Sequence, residues 1–481
     1  MRLDRRTPEP LAPLALDPQQ RAVVEHRDGH LLVLAGPGTG KTATLAELVV
    51  ARISDAADPI PADRILALTF GRRAARELSD RISGRLGGGP VPVVSTFHSF
   101  AYGVLRQHAD PTAFASPPRL LVAAEQDARL RELLTYSIEE GRLQWPESLS
   151  RAVGTRGIAE QVRALLARAR GQGLDGKDLT RIGRREGVPV WAALGGFFEE
   201  YLATLEFEGS LDYAELILRA AVLTNDPRAG RALRGAFRLV VVDEYQDTDP
   251  AQVALLRGLA GGGAQVVAVG DPDQAIYGFR GADVRGILRF PDLFADPTGQ
   301  PARIEVLRTT RRFPAAIAQA ASGVLGPVSL APLPAEVQRL HRTPVADAGP
   351  AQVEVRTFPS AGAEAAGVAE TLLRAHAGEP AESGPAGQPG HPGLSWSQMA
   401  VLVRSPAVHG PVLARALRAA GIPVWLPPDE TPLGDEPAVG ALLSVVGLAL
   451  DPSSAPEDAG RALLAGPLGR ADAVAIRALA R

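Results

Sequence analysis

A glycine-rich segment followed at once by a lysine and a threonine is the part of the sequence most suited to chemistry. Residues 35–42 read AGPGTGKT and follow the apolar run LLVLA, with Ala35 where the usual pattern has its first glycine. Glycines let consecutive backbone N–H groups point at phosphate oxygens, and the start of a helix adds its positive end. We therefore expect ATP to bind here, with Lys41 at the β- and γ-phosphates and Thr42 on Mg²⁺. The predicted nucleotide-binding residues are Gly36, Pro37, Gly38, Thr39, Gly40, Lys41 and Thr42.

Two adjacent carboxylates form the second group. Asp243 and Glu244 end the apolar run RLVVVDE of residues 238–244. A carboxylate at a strand end can hold magnesium, and a neighbouring one can orient and deprotonate an attacking water. We expect Asp243 to be the metal ligand and Glu244 the general base. The long separation from Lys41 suits a motor with an inserted domain better than a minimal nucleotide kinase.

The composition limits the classes of protein that need to be considered. The 481 residues are 46% hydrophobic and 22% charged and include no cysteine, which excludes disulfides, thiolate zinc sites and iron–sulfur clusters. We find no apolar stretch long enough to span a membrane and no secretory signal, so we expect a cytoplasmic protein without a membrane partner. A net charge of −3 requires any nucleic-acid binding to come from a local groove. Only Lys41 and Lys177 among the 51 basic residues are lysines, which indicates that Lys41 sits where a compact ammonium is needed.

The pattern of apolar runs predicts an α/β fold built on one doubly wound parallel sheet. Continuous apolar runs that end in polar or glycine residues are typical of parallel strands covered on both faces. Five such runs occur, at residues 31–35, 64–70, 91–97, 238–244 and 264–271. Residues 107–210 carry helical spacing instead, and we predict an all-helical insertion there.

A second α/β pattern begins near residue 297. Strands are predicted at 303–308 (RIEVLR), 353–358 (VEVRTF) and 399–405 (MAVLVRS). Residues 378–393 are rich in Gly, Pro and Ser, which predicts a disordered surface loop. Residues 427–481 are rich in Ala and Leu and are predicted to be helical.

Several motifs in the right order give the sequence a family resemblance. DEYQDT (243–248) and VGDPDQAIYGFRGA (269–282) resemble two motifs of the UvrD/PcrA/Rep-type superfamily-one DNA helicases, and further matches lie at LDPQQ (16–20), TFH (96–98) and DYAEL (212–216). The resemblance implies an ATP-dependent 3′–5′ single-stranded DNA translocase and helicase that acts in DNA repair or recombination.

The resemblance also implies RecA-like domains and their boundaries. A first ATP-binding motor domain would comprise 1–106 and 211–296, with the helical insertion 107–210 as its accessory domain. The first part of a second RecA-like domain would occupy 297–426, and 427–481 would begin a second helical insertion. We find no counterpart of the later motifs, so we expect the front part of a longer polypeptide that, expressed alone, binds Mg-ATP weakly and shows little DNA-stimulated hydrolysis.

Individual roles are carried over from the matching motifs. Gln20 would read adenine, Gln274 would sense the γ-phosphate, and Arg311, with Arg312 as the alternative, would contact phosphate. Aromatic rings can stack single-stranded bases without reading sequence, a role implied for Phe70, Tyr277 and Phe279. The full set of implied DNA contacts is Thr69, Phe70, Thr96, His98, Tyr277, Phe279 and Arg280.

Two positions depart from the family's adenine sandwich. Ala43 replaces the usual arginine after GKT, and Thr310 replaces the tyrosine before the phosphate-contacting arginine. Adenine would then be held by Gln20 with Arg308 or Arg312, and base specificity would be relaxed.

The expected partners are single-stranded DNA and duplex junctions. The Arg/Ala-rich composition and the RRFP variant also resemble motor subunits of actinobacterial helicase–nuclease complexes, which adds a nuclease or second motor subunit as a partner. The competing hypothesis is a non-catalytic DNA-binding scaffold subunit of such a complex. An unrelated P-loop ATPase such as a kinase is disfavoured by Gln274 and the second α/β pattern.

Overall fold

The computed structural model describes residues 12–108, 119–141, 145–150, 154–278, 282–346, 351–379, 392–425 and 437–450, with isolated positions between and after these ranges. The chain divides into two units, Met1–Val353 and Glu354–Arg481. In the described part of the chain, no helix combines the length and apolarity needed to cross a bilayer.

A six-stranded parallel sheet is the centre of the first unit, as the apolar runs predict. Its strand order is β3-β2-β6-β7-β1-β8, and every neighbouring pair is parallel. The strands are β1 (Leu31–Ala35), β2 (Ile65–Thr69), β3 (Val93–Thr96), β6 (Leu239–Val242), β7 (Gln265–Gly270) and β8 (Arg303–Leu307), and a separate pair is formed by β4 (Arg119–Leu120) and β5 (Ser210–Leu211).

Alternate residues of the strands feed two hydrophobic cores. Leu32 and Leu34 of β1 belong to one core, whereas Leu31 and Val33 belong to the other. Burial on both faces is what continuous apolar strands require in a parallel sheet. The predicted α/β class with a doubly wound sheet is therefore confirmed.

Helices cover both faces of this sheet and fill the insertion. Those outside the insertion are α1 (Pro18–Glu25), α2 (Lys41–Ile53), α3 (Arg72–Leu86), α4 (Phe97–His108), α10 (Tyr213–Leu223), α11 (Ala229–Ala236), α12 (Pro250–Ala260), α13 (Arg285–Leu288), α14 (Phe290–Leu293), α15 (Ala315–Leu325) and α16 (Ala335–Arg342). Those of the insertion are α5 (Ala123–Glu139), α6 (Glu147–Ser150), α7 (Arg156–Gly171), α8 (Gly176–Arg185) and α9 (Pro189–Phe207), around a core that includes Leu130, Leu166 and Phe197.

One strand lies in a different sheet from the one predicted. The prediction that residues 303–308 open a second α/β unit is wrong, because β8 pairs in parallel with β1 from Leu31↔Arg303 to Ala35↔Leu307. Val306 and Leu307 complete the two cores of the first unit. An apolar run predicts a strand, but only the pairing partner decides to which sheet the strand belongs.

The second unit is described mainly as helices: α17 (Ala361–Ala377), α18 (Pro406–Ala419) and α19 (Pro437–Leu450). The strands predicted at 353–358 and 399–405 are not formed, since Val355 and Leu402 are 89% and 94% exposed in segments without ladder pairing. A strand needs a hydrogen-bonding neighbour as well as an apolar pattern. Most of the predicted loop 378–393 and most of 427–481 lie outside the described residues.

Candidate functional site

The glycine segment forms a tight loop between β1 and α2. Gly38 and Gly40 have φ angles of +78° and +89°, which glycine adopts readily. A Cβ on Gly38 would come within 2.5 Å of the Thr310 Oγ1 atom, and a Cβ on Gly40 within 2.8 Å of Gln20 Nε2. The loop therefore needs glycine at both positions, and α2 begins directly after it at Lys41.

Gln20 lies against this loop. Asp17 caps α1 by accepting a hydrogen bond from the Gln20 backbone, and the Gln20 side chain accepts one from the Asp17 backbone. The Gln20 Nε2 atom also donates to the Thr39 carbonyl at 3.0 Å, and the residue is only 1% exposed. Gln20 thus supports the phosphate loop, and its contact with adenine stays a prediction.

The predicted metal and base residues meet at the carboxyl ends of β1 and β6. The Lys41 Nζ atom lies 3.1 Å from Glu244 Oε2, and the Thr42 hydroxyl donates to Asp243 Oδ2 at 2.9 Å. These pairs join residues 203 and 201 positions apart in the chain. Parallel strands bring such distant residues to one edge of the sheet.

The electrostatic environment of Asp243 suits a cation. Burial and the neighbouring Glu244 charge raise the pKa of Asp243 to about 6, against the lowering effects of Thr42 and Lys41. A buried carboxylate that is costly to ionise gains most from a bound positive ion. Thr42 and Asp243 supply the hydroxyl and carboxylate oxygens that Mg²⁺ prefers, so the residues present fit this ion.

Glu244 is held by its backbone and by Gln246. Its φ of +52° makes it the one non-glycine residue with positive φ in the described part of the chain. Gln246 is 2% exposed and donates from Nε2 to Glu244 Oε2 at 2.8 Å. A left-handed conformation at a non-glycine residue is strained and is often found at functional sites. Gln246 belongs to the DEYQDT motif, but the motif alone does not reveal its contact with Glu244.

A buried polar network continues from Gln246 to Gln274. The Asp271 backbone donates to Gln246 Oε1 at 2.9 Å, and the Gln274 side chain donates to Asp271 Oδ2 at 2.5 Å. His341 Nε2 lies 2.9 Å from the other Asp271 oxygen. The sequence predicted Gln274 but missed Asp271 and His341; VGD is a signal for the first, and a single histidine in a helix is no signal for the second.

The segment 309–312 lies on the phosphate loop. The Thr310 hydroxyl donates to the Pro37 carbonyl at 2.8 Å, and the Arg311 backbone donates to the Gly38 carbonyl at 3.0 Å. The Arg311 guanidinium is 3.0 Å from Asp17 Oδ2 and is 46% exposed. Thr310 thus fills space beside the loop, where its side chain is bound to protein and offers no ring for a base.

Two of the three predicted base-stacking residues, Phe70 and Tyr277, lie at the same edge of the sheet. The rings of Phe70 and Tyr277 stack on each other with centroids 4.5 Å apart and planes at 29°. The Asp247 carboxylate accepts hydrogen bonds from the backbone of Ile276 and Tyr277, and burial raises its pKa to about 6. Asp247 therefore fixes the segment that carries Tyr277.

A groove of about 410 Å³ opens beside Phe70. Burial lowers the pKa of His98 to about 4, so its ring is neutral at pH 7 and can offer a hydrogen bond but no charge. The lining includes Phe70, Arg72, Thr96, His98, Tyr102 and Tyr213.

Two further predicted DNA contacts, Thr69 and Thr96, also support the local backbone. Thr69 is fully buried and its hydroxyl donates to the Gly71 carbonyl at 3.1 Å, so its side chain supports the turn that carries Phe70. Thr96 Oγ1 accepts from the Ser99 backbone at 3.2 Å and supports the start of α4. Phe279 and Arg280 lie outside the described residues.

The parallel sheet, the glycine loop ahead of α2 and the carboxylates that follow β6 are the features of the P-loop nucleoside-triphosphatase fold. Residues 16–295 match the family model of the UvrD/REP helicase N-terminal domain. The chain belongs to the UvrD/REP helicase family.

Curated relatives give the same family. The chain is 33% identical over 293 residues to the ATP-dependent DNA helicase UvrD1 of Mycobacterium tuberculosis, covering 58% of this chain and 36% of that protein. It is 32% identical over 293 residues to DNA helicase II of Escherichia coli, covering 60% of this chain and 38% of that protein. A probable DNA helicase II homolog of Rickettsia felis is 30% identical over 286 residues, covering 59% of this chain and 41% of that protein. The chain thus spans about two fifths of the length of these relatives.

Proposed function

We propose that the protein is an ATP-dependent 3′–5′ single-stranded DNA translocase and helicase that acts in DNA repair or recombination. The observation that carries the proposal is the loop after β7: it holds Gln274, which is connected to Glu244 through Asp271 and Gln246, and three residues later Tyr277, which stacks on Phe70. One short segment thus joins the nucleotide side to an aromatic platform. The names of the relatives, ATP-dependent DNA helicase and DNA helicase II, support this proposal.

On the nucleotide side, Lys41 would leave Glu244 and bind the β- and γ-phosphates of ATP. Glu244, released from the ion pair, would accept a proton from the water that attacks the γ-phosphorus. Gln246 would keep its carboxylate oriented through the 2.8 Å hydrogen bond. Arg311, which lies over the loop, would exchange Asp17 for a phosphate oxygen.

Mg²⁺ would be held by Thr42 and, directly or through water, by Asp243, and when bound it neutralises charge on the phosphate oxygens. The Thr42 hydroxyl donates to Asp243 Oδ2 at 2.9 Å, which leaves the lone pairs of its oxygen free to ligate the ion.

On the DNA side, Phe70 and Tyr277 would stack against bases. Every base has an aromatic face, so stacking on such rings is independent of sequence, as a motor that moves along DNA requires. Arg72, exposed at the edge of the groove, supplies a positive charge for the phosphate backbone.

The proposed organisation retains a motor domain formed by 1–106 and 211–296, extended by β8, with the helical insertion 107–210 as its accessory domain. The wider proposal places the protein in the cytoplasm, acting on single-stranded DNA and duplex junctions, with a nuclease or a second motor subunit as partner. Co-purification with the tagged protein from its native host would test the partner.

Directional displacement tests the proposed activity. Streptavidin is placed on biotin at either the 3′ or the 5′ end of a single-stranded oligonucleotide, and its release by the full-length protein is followed with Mg-ATP. A 3′–5′ motor displaces the 5′-end block and leaves the 3′-end block in place. ATP-dependent release of streptavidin only from the 3′ end would show the opposite polarity. DNA binding without ATP hydrolysis or streptavidin release would favour the non-catalytic scaffold.

A further inference from the structure

The orientation of Gln274 depends on a residue far from it in the sequence. Gln274 donates to Asp271 Oδ2 at 2.5 Å, and the second oxygen of Asp271 lies 2.9 Å from the His341 Nε2 atom. Because a carboxylate oxygen accepts, the His341 nitrogen is the donor in this contact. His341 and Asp271 are 7% and 1% exposed, so water does not replace either partner.

The Asp271 carboxylate is also the hydrogen-bond acceptor that shapes the loop. The Asp273 backbone donates to Asp271 Oδ1 at 3.0 Å, the same oxygen that His341 contacts. Burial would raise the pKa of Asp271, but the hydrogen bond and charge of His341 lower it, and Gln274 adds to this lowering. His341 thus favours the charged form of the group that holds Gln274.

The next residue of the same helix fixes the other side of the loop. The Arg342 guanidinium donates to both oxygens of Asp273, from Nε at 2.9 Å and from Nη2 at 2.6 Å. The acidic pair and His341 have ligand atoms within 4.8 Å of one another, yet Arg342 already occupies both Asp273 oxygens. The carboxylates of Asp271 and Asp273 are therefore paired within the protein, and they join the C-terminal end of α16 to the loop of Gln274.

We propose that His341 is a positioning residue for ATP hydrolysis. His341 acts by fixing Asp271 and, through Asp271, the side chain of Gln274. The inference rests on the proposed function, in which Gln274 reports the γ-phosphate. His341 does not touch the nucleotide in this scheme. It keeps the Gln274 amide in one orientation, hydrogen-bonded to Asp271, so that binding of the γ-phosphate changes this hydrogen bond.

Kinetic measurements on the full-length protein test this role. His341→Phe keeps a ring and removes the donor, whereas His341→Gln restores a donor at similar reach. We expect His341→Phe to lower the DNA-stimulated kcat about 10-fold while KM for ATP changes less than about twofold, and His341→Gln to recover most of the loss. Arg339→Ala, on the same helix and 68% exposed at its side chain, is the matched control and should behave as wild type.

A double-mutant cycle separates positioning from general stability. If His341 acts through Gln274, adding His341→Phe to Gln274→Ala lowers kcat no further. Multiplication of the two losses, or loss of kcat in His341→Gln equal to that in His341→Phe, would overturn the inference. Should His341→Phe not fold, His341→Asn, whose amide is too short for the contact, takes its place in the cycle.

Hydrogen exchange gives a readout that does not depend on activity. A peptide that begins upstream of Asp271 and extends to residue 278 should exchange faster in His341→Phe than in wild type or His341→Gln, because the Asp273 amide loses its fixed acceptor. Unchanged exchange there would refute the positioning role whatever the kinetics show. A wild-type protein without DNA-stimulated hydrolysis would instead refute the proposed function, while the exchange result would still decide the contact.

Discussion

Lys41 and Glu244 neutralise each other across the candidate site, with 3.1 Å between Nζ and Oε2. Their side chains are 12% and 36% exposed, so the pair is partly shielded from water. In the proposed mechanism these are the phosphate-binding cation and the general base. Nucleotide binding must therefore separate them, which couples release of the base to the arrival of the phosphates.

Glu244→Gln should bind Mg-ATP but turn over very slowly. The amide is nearly the same size as the carboxylate but cannot accept a proton from water, and loss of a general base costs about 100-fold or more in kcat. Binding of a fluorescent ATP analogue and steady-state hydrolysis measure the two effects. Glu77→Gln, a substitution at an exposed residue of α3, is the control. If Glu244→Gln retained more than about a tenth of the wild-type kcat, Glu244 would not be the general base.

Asp243→Asn should stabilise the protein when no nucleotide or metal is present. The folded-state pKa of Asp243 is raised from 3.8 to about 6, so ionisation of this carboxylate opposes folding above pH 6 and not below pH 4. The variant should gain roughly 2 °C or more in Tm at pH 7.5 and lose this advantage as the pH falls from about 6 to 4. Thermal unfolding across this range checks the sign: a variant less stable than wild type at pH 7.5 would contradict it.

Phe70→Ala and Tyr277→Ala should each weaken single-stranded DNA binding. Stacking of one base on an aromatic ring is worth about 1–3 kcal/mol, which corresponds to about 5- to 150-fold in Kd. Fluorescence anisotropy with a labelled oligonucleotide measures Kd, and ATP hydrolysis without DNA should remain close to wild type. Phe207→Ala, which removes a 92% exposed ring from α9, is the control. Equal affinity in all three variants would remove the stacking role.

Asp212→Ala should strongly destabilise the first unit. The Asp212 carboxylate accepts hydrogen bonds from Arg170 at 2.6 Å, from Tyr201 and Gln126 at 3.0 Å, and from the Glu215 backbone at 2.8 Å. Its removal leaves the 4% exposed Arg170 guanidinium without its counter-ion, a change that costs about 3–5 kcal/mol. Chemical denaturation measures the loss. Arg170→Met added to Asp212→Ala should recover part of it, and a single variant as stable as wild type would contradict the account.

The sequence was most informative where one short segment determines both structure and chemistry. AGPGTGKT predicts the loop, the helix start at Lys41 and the roles of Lys41 and Thr42, because its glycines and polar residues allow few alternatives. The five runs predict the sheet because both of its faces are buried, which forces continuous apolar strands.

The remaining features depend on contacts between distant segments. The apolar pattern of residues 303–307 predicts a strand but does not show whether it belongs to the first sheet or to a second one. Only its pairing with β1 shows that it belongs to the first. His341 meets Asp271 across 70 positions, and no local pattern of residue types records such a contact. Thr69 is a third case. It belongs to a recognisable motif with Phe70, but it is fully buried, and the motif does not show which of its residues are buried.

ATP hydrolysis by Lys41→Ala, measured together with single-stranded DNA affinity, tests the central claim most directly. The full-length protein is assayed with and without DNA, and Lys177→Ala, which removes the only other lysine from an exposed position, is the matched control. We predict that Lys41→Ala abolishes DNA-stimulated hydrolysis while DNA affinity stays close to wild type, because the ammonium binds phosphate and the aromatic platform is separate from it. Turnover by Lys41→Ala equal to that of Lys177→Ala and wild type would contradict the account.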